Sequence, residues 1–252
     1  MISHYRTQGF IFKKIDFGEV DRFYLVFTKD FGKLNLLAKG VRKIKAKLKS
    51  SLELFNFSEI EFVQGKNYKT LTDALIIESF PDLKRDLIKL KIAFRISELF
   101  DKLLKGEERD EAIWQLSQET FRELDKWKLK APNSLESENF KLKIIYYYFL
   151  WNFLSLLGYR PQIQKCVNCQ RRIDLFKKIY FSSSEGGVLC SLCAKRIKEQ
   201  EDLSLNTLKL LKVILGGELS FLKRLKLKRK ELEKLSKLSQ NYLSFIEKTY
   251  EI

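Results

Sequence analysis

Apolar and polar positions alternate with a period of two through most of the first eighty residues. Phe23, Leu25 and Phe27 interleave with Arg22, Tyr24 and Val26, and Leu34, Leu36 and Ala38 stand opposite Lys33, Asn35 and Lys39. Before them Tyr5 to Ile15 is extended and rich in aromatics; after them Leu54 to Val63 and Leu71 to Phe80 repeat the habit. Phe17-Gly18-Glu19 and Lys29-Asp30-Phe31-Gly32 read as turns. Five short strands joined in this way predict a small closed barrel of the OB type over residues 1–80.

Pro81 punctuates a change of period. From Asp82 the spacing turns helical, with Leu83, Leu87, Leu90, Phe94, Ser97, Leu99 and Phe100 marking one face. Glu111 to Trp127 and Phe140 to Leu157 predict two further helices, with Ala131-Pro132-Asn133 as the loop between them and Ser134 as N-cap. Ile144 to Trp151 is the longest apolar stretch; Asn152 interrupts it, so a buried helix is expected and not a membrane span. Helices resume near Asn206 and break at Gly216-Gly217. The fold class is therefore α+β: an OB barrel over 1–80, then a helical domain over 81–252 with an inserted module at about 160–198.

That module carries the most specific chemistry. Its four cysteines, the only ones in the chain, fall as Cys166-x-x-Cys169 and Cys190-x-x-Cys193 with twenty residues between the pairs. Each pair sets two thiolates on one tight turn, and two such turns close a tetrahedral sulfur shell around one ion, by default zinc. Protein fills every coordination position, so the ion is expected as a structural staple. Two disulfides would need an oxidising compartment, whereas Met1 to Tyr5 shows no signal peptide and the expected location is the cytoplasm. A redox pair would need one C-x-x-C beside a βαβ pattern. His4, the single histidine, reads as an ordinary strand residue.

Charge points to the partner. Forty-eight Lys plus Arg against 32 Asp plus Glu leave +16, and the pI is about 9.6. Such an excess favours polyanions, nucleic acid first and an anionic membrane surface second. Residues 39–49 hold six cations and no acid: Lys39, Arg42, Lys43, Lys45, Lys47 and Lys49. Arg6, Lys13, Lys14, Arg22 and Lys33 extend that track toward a nucleic-acid contact. Tyr5, Phe10, Phe12, Tyr24, Phe31 and Tyr68 are candidate stacking surfaces, most of them also candidates for barrel core. A second basic surface is suggested by Arg171 and Arg172, and by Lys223, Arg224, Lys226, Lys228, Arg229 and Lys230. Its bland alternative is a solvated helix face.

No catalytic motif is found: no phosphate-binding G-x-x-x-x-G-K-[ST] loop, no G-x-S-x-G elbow, and no second histidine. Asp16, Glu19 and Asp21 flank a turn, and Glu107, Glu108, Asp110 and Glu111 gather at a helix entrance, both ordinary places for acids. The expectation is a binding protein and not an enzyme.

Several strings then resemble the bacterial recombination-repair family RecO: Tyr5-Arg6-Thr7-Gln8-Gly9-Phe10, Asp16-Phe17-Gly18-Glu19-Val20-Asp21-Arg22, Phe27 to Lys33, Ala38-Lys39-Gly40-Val41-Arg42 and Ile77-Glu78-Ser79-Phe80-Pro81. Leu157-Gly158-Tyr159-Arg160-Pro161 running into Cys166 is similar to the family's entry into its zinc module, and the four cysteines match the branch that keeps zinc. The resemblance implies an OB fold, a helical C-terminal domain and binding of single- and double-stranded DNA. It further implies annealing of complementary strands and work with RecR and RecF to load RecA onto DNA coated by single-strand-binding protein, whose C-terminal tail is a partner. The implied location is the bacterial cytoplasm, at the nucleoid. The competing expectation is a basic zinc-ribbon protein that binds RNA or serves transcription.

Overall fold

The computed structural model describes residues 3–43, 48–128, 135–217, 219–222, 225 and 227–250, with 135–141 and 250 described by backbone alone. Lys45, Lys47, Lys223, Arg224 and Lys226, and the loop Ala131 to Asn133 with its cap Ser134, lie outside the described residues. The chain forms two compact units, Met1–Lys126 and Trp127–Ile252.

The first unit holds the alternating strands β1 (His4–Phe17), β2 (Asp21–Thr28), β3 (Gly32–Ala38), β4 (Phe57–Gln64) and β5 (Lys69–Glu78). They close in the order β1-β2-β3-β5-β4, with β4 returning to β1. The closure between β3 and β5 is parallel and brief, Leu36↔Lys69 and Leu37↔Thr70, so most of β5 pairs along one side only. Ile11, Val26, Leu34, Leu36, Ile60 and Phe62 fill the interior. Both faces of β1 are buried in its middle, over residues 9–12: Ile11 points inward while Phe10 and Phe12 are 0% and 1% exposed on the outside. Their cover comes from three helices, α1 (Pro81–Arg85), α2 (Leu87–Leu103) and α3 (Glu111–Lys126).

Phe10 and Phe12 meet Phe121 at 5.3 and 5.6 Å, Phe12 and Phe27 meet Phe100 at 4.4 and 4.8 Å, and Phe57 meets Trp114 at 5.6 Å. Ser97 donates to the Phe12 carbonyl at 2.7 Å, and Arg122 donates through two nitrogens to Glu78 at the end of β5. Pro81 thus marks a change of secondary structure, whereas the compact unit runs on to Lys126 because α1–α3 cover the barrel. The predicted helix face also shifts. Asp86 breaks the run by capping α2 through the amides of Ile88 and Lys89, leaving Leu87 and Phe94 exposed while Ile92, Ile96, Leu99 and Phe100 are buried.

The second unit is built around α4 (Leu135–Leu156), apolar on every side from Ile144 to Trp151 and enclosed by α6 (Leu205–Gly216), α7 (Leu219–Leu222) and α8 (Arg229–Tyr250). Among the described residues no helix is long and apolar enough to cross a membrane. Trp151 stacks on Tyr242 at 5.1 Å and donates to Ser239 at 2.9 Å. Phe181, from the cysteine module, sets its edge against Tyr242 at 5.5 Å. The module adds β6 (Ile179–Ser182), β7 (Gly187–Cys190), the short α5 (Ser191–Ala194) and β8 (Glu201–Leu203), in sheet order β7-β6-β8. These strands, of three or four residues each, are too short for alternation to announce them.

Gly32 closes the β2–β3 turn at φ +61°, and a Cβ there would lie 2.2 Å from the Glu108 carbonyl oxygen. Gly32→Ala is therefore expected to destabilise the first unit by about 2–3 kcal/mol, from backbone strain and overpacking together. Denaturant unfolding measures it; a loss below about 1 kcal/mol, the size of a harmless glycine replacement, would show that the turn relaxes freely.

Candidate metal centre and nucleic-acid interface

The two cysteine turns form by different local means. At the first, Gln170 takes a left-handed φ of 59° and donates its amide to the Cys166 carbonyl, while the Cys166 amide returns to Arg171. The second lies where β7 passes into α5, so Cys190 ends a strand and Cys193 sits one helical turn on. Gly187 lets the two turns approach: a Cβ there would lie 2.4 Å from the Gln162 carbonyl oxygen and 2.7 Å from Val167. The four Sγ atoms lie within 4.8 Å of one another, with Cys169 and Cys190 at 3.8 Å. A tetrahedral thiolate site with metal–sulfur bonds of about 2.3 Å needs sulfurs about 3.8 Å apart. The donor set therefore fits one thiophilic divalent ion. Cys166 and Cys190 are buried, and Cys169 and Cys193 open toward the surface.

Burial opposes ionisation of Cys166, but the amides of Cys169, Cys190 and Asn168 overcome it and bring the thiol down to about 7. Burial and the neighbouring sulfurs push Cys193 the other way. An ion resolves this competition, since it displaces protons from every sulfur it binds.

The barrel carries the second site. β1 and β2 extend past the helices as a hairpin whose register pairs Ile15 with Phe23 and Phe17 with Asp21. Phe17, Phe23 and Tyr68 form a ring triad, with centroids 4.9 Å (Phe17–Phe23), 5.2 Å (Phe23–Tyr68) and 6.1 Å (Phe17–Tyr68) apart. Phe17 and Tyr68 are 43% and 46% exposed. Phe23 and Tyr68 of the triad line an open groove of about 720 Å³ that also receives Asn35, Gln64 and Asn67. This is the face of strands β2 and β3 with the β1–β2 and β4–β5 turns, where OB folds take oligonucleotides. Lys69 in the groove is paired with Glu107 at 2.6 Å, and Lys33 donates to the Phe100 and Asp101 carbonyls at the end of α2. Burial lowers the Lys33 pKa. The groove offers ring faces and amides more than free charge.

Of the predicted stacking residues, only Tyr68 remains exposed. Phe10, Phe12 and Tyr24 are buried, and Tyr5 and Phe31 pack onto Phe62. Phe17 and Phe23 were missed; large apolar side chains flanking a tight hairpin turn, out of reach of any core, were the available signal.

The predicted cations divide in the same way. Arg6 is held by Glu59 and Glu61, Lys13 by Asp101, and Arg22 by Asp16, whose carboxyl the Arg22 hydrogen bond keeps below its ordinary pKa. Arg42 donates to the Gly18 carbonyl at 3.1 Å and lies 3.6 Å from Asp16. Exposed pairs are worth about 0–1 kcal/mol, so phosphates can displace them, but these cations begin neutralised. Lys14, Lys39, Lys43 and Lys49 are exposed without an ion pair among the described residues. The Arg42 amide reaches the Val20 carbonyl and the Gly40 amide reaches Asp21, so the basic segment starts beside the aromatic hairpin. In the second unit Arg171 is exposed, Arg172 is paired with Asp174 and Arg229 with Glu233, and Lys228 and Lys230 are exposed.

These parts define a class: an OB barrel buttressed by helices, joined to a helical unit that carries a four-cysteine module. Family models described as Recombination protein O N terminal and Recombination protein O C terminal match residues 1–80 and 84–245. The DNA repair protein RecO of Dehalococcoides mccartyi strain 195 is 31% identical over 96% of this chain and 90% of its own length. The proteins of that name from Thermoanaerobacter sp. strain X514 and Acetivibrio thermocellus are 29% and 28% identical over 94% and 99% of this chain, and over 90% and 94% of their own lengths. The chain belongs to the RecO family of DNA repair proteins.

Loading the four-cysteine shell with zinc is expected to protect β6–β8 in hydrogen exchange, and stripping the metal with a thiophilic chelator to deprotect them while β1–β5 stay protected. Acidification is expected to release it, because protons compete at every sulfur. Unchanged protection of β6–β8 after stripping would mean the module holds without metal.

Proposed function

We propose that this protein binds single- and double-stranded DNA, anneals complementary strands, and acts without catalysis as a recombination mediator. The observation that carries the reading is the exposed Phe17–Phe23–Tyr68 triad beside the basic segment that begins at Lys39. Ring faces take bases whatever their sequence, and lysines take phosphates without reading base edges. Two strands repel through their phosphates; a protein that neutralises both lowers the barrier to pairing. The Cys166, Cys169, Cys190 and Cys193 shell holds zinc, which stabilises the module and leaves no open position for a substrate.

Family membership supports RecR, RecF, RecA and the C-terminal tail of single-strand-binding protein as partners, and the bacterial cytoplasm at the nucleoid as the place of work. No membrane partner is needed.

The test is annealing of complementary single strands across a salt series. Fast annealing that fades steeply with salt is expected, and tight binding without annealing would overturn the reading. Phe17→Ala with Tyr68→Ala should weaken single-strand binding by about 1–3 kcal/mol per base unstacked, and duplex binding much less. Charge reversal at Lys43, Lys45 and Lys47 should slow annealing. It should also flatten the logarithmic salt dependence of single-strand binding by about 0.7 for each phosphate no longer neutralised. An unaltered annealing rate would remove the 39–49 segment from the mechanism.

A further inference from the structure

The second unit carries a concave basic surface that the barrel does not explain. Two clefts of about 530 and 250 Å³ adjoin one another, sharing Ser204, Asn206 and Lys234. Lys177 and Lys178 enter from the chain leading into β6, and Lys228, Lys230 and Lys234 from the start of α8. The register of β8 on β6 and the first turn of α6 bring these segments together: Tyr180 pairs with Asp202, and Ser204 caps α6 through the Thr207 amide.

Five lysines face two carboxylates. Glu231 is committed to the fold, accepting from Asn206 at 2.8 Å and from the Lys228 amide at 3.3 Å to close the first turn of α8. Asp202 is the other. All five lysines are exposed, and none has a side-chain hydrogen bond or ion pair among the described residues. Like charges gathered in a concavity focus the field and raise the local concentration of anions.

We propose that this double cleft is a second nucleic-acid site, which holds the phosphate backbone of one strand while the barrel holds another. It rests on the annealing reading and adds where the second strand goes. The lining favours a phosphodiester chain over an acidic peptide. Ile179 and Leu203 are closed off at 3% and 6% exposure, and Leu205, 46% exposed, is the one aliphatic side chain a peptide could reach there, against five lysines. The ammonium groups are point donors spread along a length of surface, which is what a repeating phosphate needs. Annealing then becomes a two-handed process within one molecule.

The test uses the full chain with its metal. Lysine acetylation is mapped on the wild type, free and saturated with single-stranded DNA; protection of Lys177, Lys178 and Lys234 by DNA is expected. In parallel the variant Lys177→Glu, Lys178→Glu, Lys234→Glu should anneal about tenfold more slowly, and its logarithmic salt dependence of binding should flatten by about 2. Its affinity for an oligonucleotide short enough to occupy the barrel alone should remain. Unprotected lysines with unchanged annealing would overturn the inference while wild-type annealing still upheld the broader reading. Protection by an acidic peptide but not by DNA would also overturn it, in favour of a protein-docking surface. A wild type that does not anneal would sink the broader reading itself.

Discussion

The aromatic layer between the outer face of the barrel and helices α2 and α3 is the constraint on which the first unit depends. Phe10, Phe12, Phe27 and Phe57 project outward, where a lone barrel would show them to water, and Phe100, Trp114 and Phe121 cover them. Each ring contact adds about 0.5–1.5 kcal/mol beyond the area it buries, so the layer holds the helices to the barrel as firmly as a core would. It also sets the limit of the covered face. Where the helices stop, the same outer surface continues as Ile15 and Phe17, exposed, and Phe23, half-buried, with Ile15 and Phe23 lining the groove. Buried and exposed aromatics here are one kind of side chain on one sheet face, and the extent of the helical cover decides which residues are which.

Charge is arranged by a similar division. The groove is nearly balanced internally, because Lys69 meets Glu107 and Lys33 caps the end of α2. Unpaired lysines begin at its rim, where Gly40 and Arg42 fasten the basic segment to the β1–β2 turn. Ring faces and free ammonium groups are thus kept apart on neighbouring stretches of one surface.

What sequence reading could reach follows from the range of the forces involved. Strand positions and the sulfur site are local: alternation reports the pleat, and two C-x-x-C turns report a thiolate shell whatever surrounds them. The role of each aromatic is not local. Phe10 and Phe12 alternate around Ile11 like any half-exposed pair, and only helices that begin more than seventy residues later bury them. The partners of the cations are as distant. Arg6 meets a carboxylate 53 residues away and Lys13 one 88 residues away, so an unopposed basic track in sequence became a partly neutralised one in space. The helix face after Pro81 was misjudged for a nearer reason: Asp86 caps a new helix and resets the phase of the apolar stripe.

The short parallel closure of the barrel has a consequence for how the molecule behaves in company. Beyond Thr70, β5 pairs with β4 alone, and Leu75, Ile76 and Ile77 stand 57%, 45% and 43% exposed along it. A strand with an open edge and three consecutive apolar side chains is a template for another copy of itself. At +16, mutual repulsion keeps copies apart while ionic strength is low. Added salt shortens the reach of that repulsion to a few ångströms and leaves the apolar edge as sticky as before. Conditions chosen to strip bound polyanion from this protein are the ones under which its own β5 most invites self-association.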